Sequence, residues 1–553
     1  MSSNYYVSSL LPRPTLLINI LIAEAAERFC YYSIRASLIN LFTLELGWSD
    51  AGAVSAASFW SAACYISPIL GAILSDSSWG RFLTIIRFCG CYLLGVCMLS
   101  VAAATHSVGG TITGLAFIAL GSGGIKPCVA PFGADQLEAD GAVKERITSF
   151  YFGFYWSINF GSSFAYFSVA AIIGSLGFQG AYAICAASMA IAIGFFLIPF
   201  KSYAHVTPSG SAVLSISRVI TAAIRNGGCT NKNNTRCCGL RCSKSESKPS
   251  LSNEEREPLR ASSSSTVVST STLSSSSSLS PSTSSSSWID AACGSTNITV
   301  NDINEAKCLL RLFPVFATLP FFWCVFNSYG SVWQLQAKRM NLCLSTNSND
   351  TSQNICISAL SMGASNALFV LFLVPLTDYF IIPTVRRLIG EPTQLRRMTL
   401  GMFLAALAFA MSGLLELRIV AMTEGSVSVF WQLPQFAVLT MSEILVSTTG
   451  LEFSFVEAGK GLKSAVLALF FLTTAAGDLL NGALYAALGH LPPSTLIWIV
   501  TILQILAACV FTVVASQYIT RTALSNETEI ILVQDKLDDD DNIVTNSNAN
   551  SNT

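Results

Sequence analysis

Long apolar runs dominate the pattern of this chain, and twelve of them match the length of a membrane-spanning helix. Such a helix needs about 20 mostly apolar residues to cross the hydrocarbon core of a bilayer. The runs lie at 15–43, 52–75, 83–104, 111–133, 148–173, 179–200, 308–330, 358–384, 397–419, 427–456, 464–489 and 494–519. The pattern therefore predicts an all-α membrane protein with about twelve transmembrane helices.

A long polar segment interrupts this pattern between the sixth and seventh runs. Within it, Ser262–Ser287 is nearly all Ser and Thr. Such a stretch buries too little apolar area to offset the entropy lost on ordering, so we expect disorder. The predicted organisation is a cytoplasmic N-terminus (1–14), a six-helix bundle (15–200), a Ser-rich cytoplasmic disordered loop (201–306), a second six-helix bundle (307–520) and a disordered cytoplasmic tail (521–553).

The distribution of Lys and Arg among the loops predicts the orientation. One set of loops carries Arg81, Lys144, Arg146, Arg386, Arg387, Arg396, Arg397, Lys460 and Lys463, and the opposite set little beyond Lys338, Arg339 and Arg418. Positively charged loops stay in the cytoplasm. Because an even number of spans puts both ends on one side, both termini are predicted to be cytoplasmic.

One short polar loop on the opposite side holds two cysteines and a glycosylation sequon. Cys343 and Cys356 flank Asn349, which begins Asn349-Asp350-Thr351. A sequon and a cysteine pair together indicate an oxidising, glycosylating compartment. We therefore expect a Cys343–Cys356 disulfide and a glycan on Asn349, with two free thiols as the alternative, because spacing alone does not fix a disulfide.

The amino-acid composition is that expected of a protein embedded in a lipid bilayer. Charged residues make up only 11% and hydrophobic residues 52%, whereas soluble domains carry about 25% charged residues. The net charge of -1 gives no reason to expect a nucleic-acid partner. No metal site is expected either, because Cys229, Cys237, Cys238 and Cys242 fit no common zinc spacing and have no His among them.

The first span carries a stripe of ionisable and aromatic side chains. Glu24, Glu27, Arg28, Tyr31 and Arg35 fall within about a 100° arc and extend along roughly 16 Å of helix. A structural ion pair between Glu24 and Arg28 is the alternative. Glu27 and Arg35 extend the stripe beyond one pair, which favours a functional polar cavity, because charges within a membrane are costly.

Two further spans carry isolated charges, Lys126 in the fourth and Glu443 in the tenth. The alternatives are snorkelling of Lys126 to an interface and a structural hydrogen bond for Glu443. A zwitterionic substrate needs a cation for its carboxylate, which Lys126 and Arg35 supply, and an anion for its amine, which Glu443 supplies. Glu24, Glu27 and Glu443 are also candidates for carboxylates that bind protons.

Enzymatic activity is not predicted. The chain lacks a recognisable nucleophile–base pair, metal cluster or phosphate-binding loop. Its three histidines, His106, His205 and His490, lie in loops or at their edges, so we expect no transport role for them.

Several motifs together resemble the proton-dependent oligopeptide transporter family of the major facilitator superfamily. They are Glu24-x-x-Glu27-Arg28-Phe29 with Tyr31-Tyr32, Gly123–Gln136, Phe154–Ser162, Phe322-Trp323, Gly330–Gln336 and Gly450–Phe455. Between spans two and three, Gly71, Asp76 and Gly80-Arg81 resemble the loop signature of the superfamily. Val374–Asp378 and Arg386-Arg387 resemble the peptide/histidine subgroup of the family more than the animal intestinal-type peptide transporters.

The resemblance implies a major facilitator fold of two six-helix halves and a symporter of di- and tripeptides. A proton gradient would drive transport without a further cofactor, and we expect the monomer to be functional. The implied proton-coupling residues are Glu24, Glu27, Arg28 and Glu443. The implied substrate contacts are Tyr32, Arg35, Lys126 and Asn159 in the first half, and Asn366, Glu443 and Ser447 in the second.

Three positions depart from the family pattern. Ser58 stands where animal members carry His, Asn327 where an acid is common, and Phe470 where Trp is common. The acid at the Asn327 position is thought to pair with the first-span arginine, so Arg35 is expected to lack that partner. The alternatives are transport of free histidine or nitrate, and a nutrient-sensing receptor or scaffold. Residence in the plasma membrane or in an endosomal or lysosomal membrane stays open.

Overall fold

The structure is a computed structural model that describes residues 13–141, 144–208, 210–226, 288–292, 298–344, 355–390, 392–423, 425–457 and 463–520. The chain forms two compact units. The first contains residues 1–213 and 308–553, and the second contains residues 214–307. Both six-helix halves belong to the first unit.

The first half is built from long helices. They are α1 (Arg13–Asn40), α2 (Asp50–Leu74), α3 (Gly80–Ala104), α4 (Val108–Ile125), α5 (Val129–Glu138) and α6 (Lys144–Leu197). The π-helical segments Leu41–Glu45 and Ser75–Trp79 follow α1 and α2. The helix α6 contains the fifth and sixth predicted spans and bends at Gly177, whose φ of 67° suits glycine because it has no Cβ.

The remaining helices are α7 (Ala212–Arg225), α8 (Val300–Phe316), α9 (Leu319–Ser328), α10 (Gln334–Lys338), α11 (Ala364–Leu376), α12 (Ile382–Ile389), α13 (Gln394–Ala421), α14 (Leu433–Glu443), α15 (Thr449–Glu457), α16 (Lys463–Leu488) and α17 (Pro493–Thr520). The π-helical segments Tyr329–Trp333, Thr377–Ile381 and Ile444–Thr448 connect α9 to α10, α11 to α12 and α14 to α15. Single turns of 3₁₀ helix lie at Phe200–Ser202, Trp288–Ala292, Ala359–Gly363 and Val429–Gln432.

Eight helical stretches of the described residues are long and apolar enough to cross a membrane, or nine if the pair bent by 52° at residues 317–318 is one span. Two of them, Asp50–Ala104 and Ser149–Leu197, each contain two predicted spans. The helix α1 is of similar length, but its charged stripe makes it less apolar. All twelve predicted spans are therefore helical and the all-α prediction is confirmed, whereas the orientation stays a prediction.

Glycines let helices of the first half approach each other closely. A Cβ on Gly161 of α6 would lie 2.3 Å from the carbonyl oxygen of Ala25 in α1. A Cβ on Gly71 of α2 would lie 2.6 Å from the Cα of Gly124 in α4. Both distances are too short for any larger residue, so glycine is what allows α6 to pack against α1 and α4 to pack against α2.

The two halves meet along α2 and α16 and near the end of α1. Gln334 Nε2 donates a hydrogen bond of 3.4 Å to Asn40 Oδ1. Asn481 Nδ2 donates one of 2.8 Å to Ser58 Oγ, the position that departs from the animal family members. These contacts join the halves toward the side of the membrane on which α1 ends.

The loop with the paired cysteines lies on that same side. Its strands β1 (Cys343–Leu344) and β2 (Ile355–Cys356) pair in antiparallel register, and Cys343 and Cys356 form a disulfide. The sequon residue Asn349 lies outside the described residues, so the glycan stays a prediction.

The segment 201–306, for which the sequence predicted disorder, contains the helix α7. Its apolar residues Ile216, Val219, Ile220 and Ala223 follow the helical spacing of three and four, which produces one apolar face. This short amphipathic repeat was overlooked because the loop around it is rich in Ser. Ser262–Ser287 and the loop cysteines lie outside the described residues.

Candidate functional site

A polar cavity lies between the two halves of the first unit. About 880 Å³ of empty space, which includes space open to solvent, lies between its walls. The first half contributes Tyr32, Arg35, Tyr65, Tyr155, Asn159 and Tyr166, and the second contributes Trp323, Tyr329, Asn366, Glu443, Ser447 and Phe470. Six of the seven predicted substrate contacts line this cavity, and Lys126 is the seventh.

Arg35 is the cation that the first half presents to the cavity. Its Nη2 donates a hydrogen bond of 3.1 Å to Asn327 Oδ1, across the interface between the halves. Asn327 is a neutral amide, and the described part of the chain places no carboxylate at ion-pair distance from Arg35. The guanidinium therefore keeps an uncompensated charge that suits a ligand carboxylate.

Asn159 lies in the same wall on α6. Its Nδ2 donates a hydrogen bond of 2.9 Å to the carbonyl oxygen of Tyr155, one helical turn earlier. This bond fixes the side-chain amide at the cavity wall, next to the aromatic ring of Tyr155, which also lines the cavity.

Glu443 is the anion that the second half presents. Asn366 Nδ2 donates a hydrogen bond of 3.2 Å to Glu443 Oε2. Thr440 Oγ1 in turn donates one of 2.7 Å to Asn366 Oδ1, which fixes the orientation of the amide. Ser447 lies one turn beyond Glu443, in a π-helical segment that also lines the cavity. The arrangement leaves a carboxylate with a neutral partner, suited to a ligand amine.

Lys126 lies one layer behind the cavity wall. It follows the last residue of α4, in the turn that Pro127 introduces before α5. Its Nζ lies 4.6 Å from the ring centroid of Tyr31 and 4.1 Å from that of Tyr65, and it donates a hydrogen bond of 3.5 Å to the Cys64 carbonyl. Both rings stabilise the ammonium by cation–π contact, and of the two tyrosines Tyr65 also lines the cavity.

A buried cluster of charges lies on α1 below Arg35. Arg28 Nε is 2.9 Å from Glu24 Oε1 and 2.6 Å from Glu27 Oε2. The exposed fractions of Glu24, Glu27 and Arg28 are 4%, 3% and 7%. Two carboxylates share one guanidinium, so the cluster has a surplus negative charge that is costly in a buried place. Lys126 interacts electrostatically with both carboxylates, and a bound proton would remove the surplus.

Aromatic side chains form an apolar part of the cavity. The rings of Trp323 and Phe470 meet edge to face at 5.8 Å, and Trp323 Nε1 donates a hydrogen bond of 3.1 Å to Thr473 Oγ1. Phe470, where the family commonly has Trp, therefore still provides an aromatic wall. Such a wall accommodates apolar groups of a ligand.

Sequence reasoning missed two buried carboxylates within predicted spans. Asp478 of α16 is 1% exposed and accepts a hydrogen bond of 2.7 Å from Ser61 Oγ. Glu416 of α13 is 0% exposed, and its Oε1 lies 2.7 Å from Arg339 Nη2. The criterion that selected Lys126 and Glu443, an ionisable group inside an apolar span, would also have found both.

None of the three histidines lines the cavity. His106 Nδ1 lies 2.9 Å from Glu45 Oε2 in a partly exposed pair. Partial burial lowers the pKa of His205, which favours its neutral form, and its ring contacts Phe82 edge to face.

Comparison with known sequences identifies a family and several relatives. The profile of the POT family matches residues 82–523. The chain is 29% identical over 495 residues to Protein NRT1/PTR FAMILY 8.5 of Arabidopsis thaliana, covering 84% of this chain and 80% of that protein. It is 31% identical over 419 residues to Solute carrier family 15 member 2 of Homo sapiens, covering 73% of this chain and 49% of that protein.

Solved structures of similar fold agree with this family. The POT family transporter PepTSo is 25% identical, with a TM-score of 0.72 over 92% of this chain and 99% of that one. An auto-inhibited POT family peptide transporter is also 25% identical, with a TM-score of 0.70 over 92% and 97% of the two chains. The predicted fold of two six-helix halves is thereby confirmed.

Proposed function

Since the chain belongs to the POT family, we propose that it is a proton-coupled symporter of di- and tripeptides that works by alternating access. The observation that carries the proposal is the opposite charge on two walls of one cavity, Arg35 in the first half and Glu443 in the second. The relatives of known structure are described as peptide transporters, and this supports the same substrate class here.

The cavity suits a ligand with a charge of each sign. A peptide carboxylate would bind Arg35, and the amine would bind Glu443, whose orientation Asn366 fixes. Because the two residues belong to different halves, a peptide that contacts both stabilises the closed arrangement more than the open ones. That difference in affinity is what lets a substrate drive a conformational change.

Glu443 also argues against nitrate, one of the alternatives that the sequence leaves open. A carboxylate without a cation at ion-pair distance would repel a small anion in a cavity of low dielectric constant. Free histidine is itself a zwitterion and stays the closer alternative. Trp323 and Phe470 give the cavity an aromatic wall, which suits the apolar side chain of a peptide and supports a preference for peptides.

Proton coupling would take place at the buried cluster of Glu24, Glu27 and Arg28. A proton that binds there removes the surplus negative charge and weakens the attraction that holds Lys126 toward the cluster. Lys126 contacts the Tyr65 ring, which lines the cavity, so the change reaches the substrate through one side chain. The proton gradient is the only energy source that this scheme needs, and Glu443 is a second acid that can bind a proton.

The protein is a multi-pass membrane protein, and we propose that both termini are cytoplasmic and that the monomer transports. One chain supplies both walls of the cavity, so the scheme needs no second copy. As a transporter whose described residues supply binding groups rather than a reactive centre, it is proposed to have no enzymatic activity. The plasma membrane and an endosomal or lysosomal membrane both remain compatible with this scheme.

The proposal is tested by substrate-evoked currents in cells that display the protein at an acidic outer surface. A dipeptide should evoke an inward current, nitrate none, and free histidine a smaller one. A current with nitrate and none with dipeptides would overturn the proposal. Deletion of residues 245–290 should leave the dipeptide current intact, whereas loss of signalling on this deletion, in a protein that evokes no current, would favour a receptor or scaffold built around the loop.

A further inference from the structure

Asp478 is a buried carboxylate at the interface between the two halves, and the proposed transport scheme does not use it. It lies on α16, which packs along α2, and its exposed fraction is 1%. Ser61 of α2 donates a hydrogen bond of 2.7 Å from Oγ to Asp478 Oδ2. The carboxylate therefore bridges the halves, on the side toward which α1 ends.

Asp478 is connected to Arg35 through Asn327. The Asn327 side chain accepts the hydrogen bond from Arg35 and also interacts with Asp478. Its buried Nδ2 makes no hydrogen bond of good geometry within the described residues. Arg35 and Ser61 belong to the first half and Asn327 and Asp478 to the second, so the four side chains form one contact across the interface.

The charge of this group is unbalanced when Asp478 is ionised. The described residues place no cation at ion-pair distance from it, and a buried carboxylate without a partner is costly. Such a group must either bind a proton or draw a cation toward it. The charged and titratable groups that face it are Arg35 on α1, Cys64 and Tyr65 on α2, Cys324 on α9 and Lys126 after α4.

Of the two cations, Arg35 is the one free to respond. Lys126 is held by the rings of Tyr31 and Tyr65 and by the Cys64 carbonyl. Arg35 is held on this side by one neutral amide, and the same amide already contacts Asp478. A movement of the guanidinium past Asn327 would bring it toward the carboxylate.

We propose that Asp478 is a proton-binding residue of the transport cycle, and that its proton controls the contact between Arg35 and the second half. When Asp478 is ionised it attracts Arg35, and the charged contact tightens the closure on this side. When Asp478 is protonated, Arg35 keeps only the neutral amide of Asn327, and the closure loosens. The inference rests on the proposed function, because it assigns a further residue to proton-coupled transport.

The interaction between Asp478 and Arg35 also couples proton binding to substrate binding. Arg35 lines the cavity, so an ionised Asp478 competes with a peptide carboxylate for the guanidinium. Protonation of Asp478 removes the competitor, and peptide binding in turn favours the protonated form. The two ligands therefore promote each other's binding, which is the positive coupling that symport requires.

The test uses the full-length protein in proteoliposomes, with two readouts for each variant. One is dipeptide uptake driven by an imposed pH gradient, and the other is exchange of labelled for unlabelled dipeptide without a gradient. Asp478→Asn keeps the size of the side chain and removes the titrating group. We expect its gradient-driven uptake to fall about tenfold or more, while exchange stays within about twofold of wild type.

A matched control and a rescue make the result specific. Asp50→Asn makes the same chemical change at an exposed acid at the start of α2 and should leave both readouts unchanged. The double variant Asn327→Asp with Asp478→Asn moves the carboxylate to the neighbouring position next to Arg35. It should recover most of the gradient-driven uptake, because the scheme needs an acid within reach of Arg35.

The inference would be overturned if Asp478→Asn showed the gradient-driven uptake and the pH profile of the wild type. It would also be overturned if the double variant exchanged dipeptide actively but did not recover gradient-driven uptake. If the Asp478→Asn protein does not exchange dipeptide, Ser61→Ala is tested instead, because this change removes the hydrogen bond to Asp478 and keeps the carboxylate. A shift in the pH of half-maximal uptake supports the inference, and an unchanged midpoint overturns it. Failure of the wild type to move dipeptides would instead overturn the proposed function.

Discussion

The ammonium of Lys126 lies 4.1 Å from the ring centroid of Tyr65, a residue that lines the cavity, whereas Lys126 itself does not line it. Arg35 is therefore the cation that a peptide carboxylate meets directly in this arrangement. Lys126 is placed to pass a change of charge from the α1 cluster to the cavity wall, since it interacts with both carboxylates of the cluster.

Replacing Lys126 with Ala should weaken dipeptide binding by about tenfold, because the change removes a positive charge that lies behind the wall facing the peptide carboxylate, and charges act at longer range where water is scarce. A dipeptide with an amidated carboxyl group should lose little further affinity, since it has already lost the charge that Lys126 senses. Competition of each ligand with the uptake of a labelled dipeptide measures the affinities for the intact and the amidated dipeptide. Lys338→Ala, at an exposed position, is the control. Equal losses for both ligands would remove Lys126 from carboxylate recognition.

Replacing Glu443 with Gln should weaken an ordinary dipeptide by about tenfold or more. An analogue without its amino group should be affected much less, because it lacks the cation that Glu443 binds. Glu452→Gln alters an exposed carboxylate in the same half, paired with Arg397, and should change neither affinity. The inhibition constants of the two ligands give the answer, and strictly additive losses would show that the amine binds elsewhere.

Replacing Glu27 with Gln should abolish uptake driven by a pH gradient while exchange without a gradient survives. The change removes the surplus negative charge of the α1 cluster, so a proton no longer alters the attraction on Arg28 and Lys126. Glu45→Gln, in the segment that follows α1, is the matched control and should leave both assays unchanged. Gradient-driven uptake at the wild-type level would assign Glu27 a structural role only.

The sequence predicted the elements that depend on local composition and period. Apolar runs of about 20 residues located the spans, and the 100° arc placed Glu24 and Arg28 on one face of α1. The pairing of these residues in the structure follows from their spacing of four. The sequence also predicted that Arg35 and Glu443 face a polar cavity, because charged side chains inside apolar spans need polar surroundings.

The parts that escaped sequence reasoning depend on contacts between distant segments. No local pattern places the ring of Tyr65 over Lys126, since the two residues are brought together by the packing of α2 against α4. The family resemblance had brought Arg35 and position 327 together, but it implied a lost partner, whereas the structure shows a hydrogen bond from Arg35 to the neutral Asn327, 292 residues further along the chain. Asp478 was visible as a charge in a span, but its connection to Arg35 arises only from the packing of the halves.

Replacing Arg339 with Ala should destabilise the protein, because it leaves Glu416 buried with only its hydrogen bond from Gln336. Removing one partner of such a pair costs on the order of 3 kcal/mol, although Arg339 is itself 31% exposed. Thermal unfolding in detergent should show a lower midpoint. The neighbouring change Lys338→Ala should have little effect, and equal midpoints for the two variants would contradict this account.

Uptake of a labelled dipeptide into proteoliposomes that contain only this protein tests the central claim most directly. With an acidic exterior and a neutral interior, the peptide should accumulate above its external concentration, and a protonophore that collapses the pH gradient should abolish the accumulation. Because no other protein is present, accumulation assigns both the peptide and the proton to this chain. Equilibration without accumulation, or accumulation that the protonophore leaves intact, would contradict proton-coupled peptide symport.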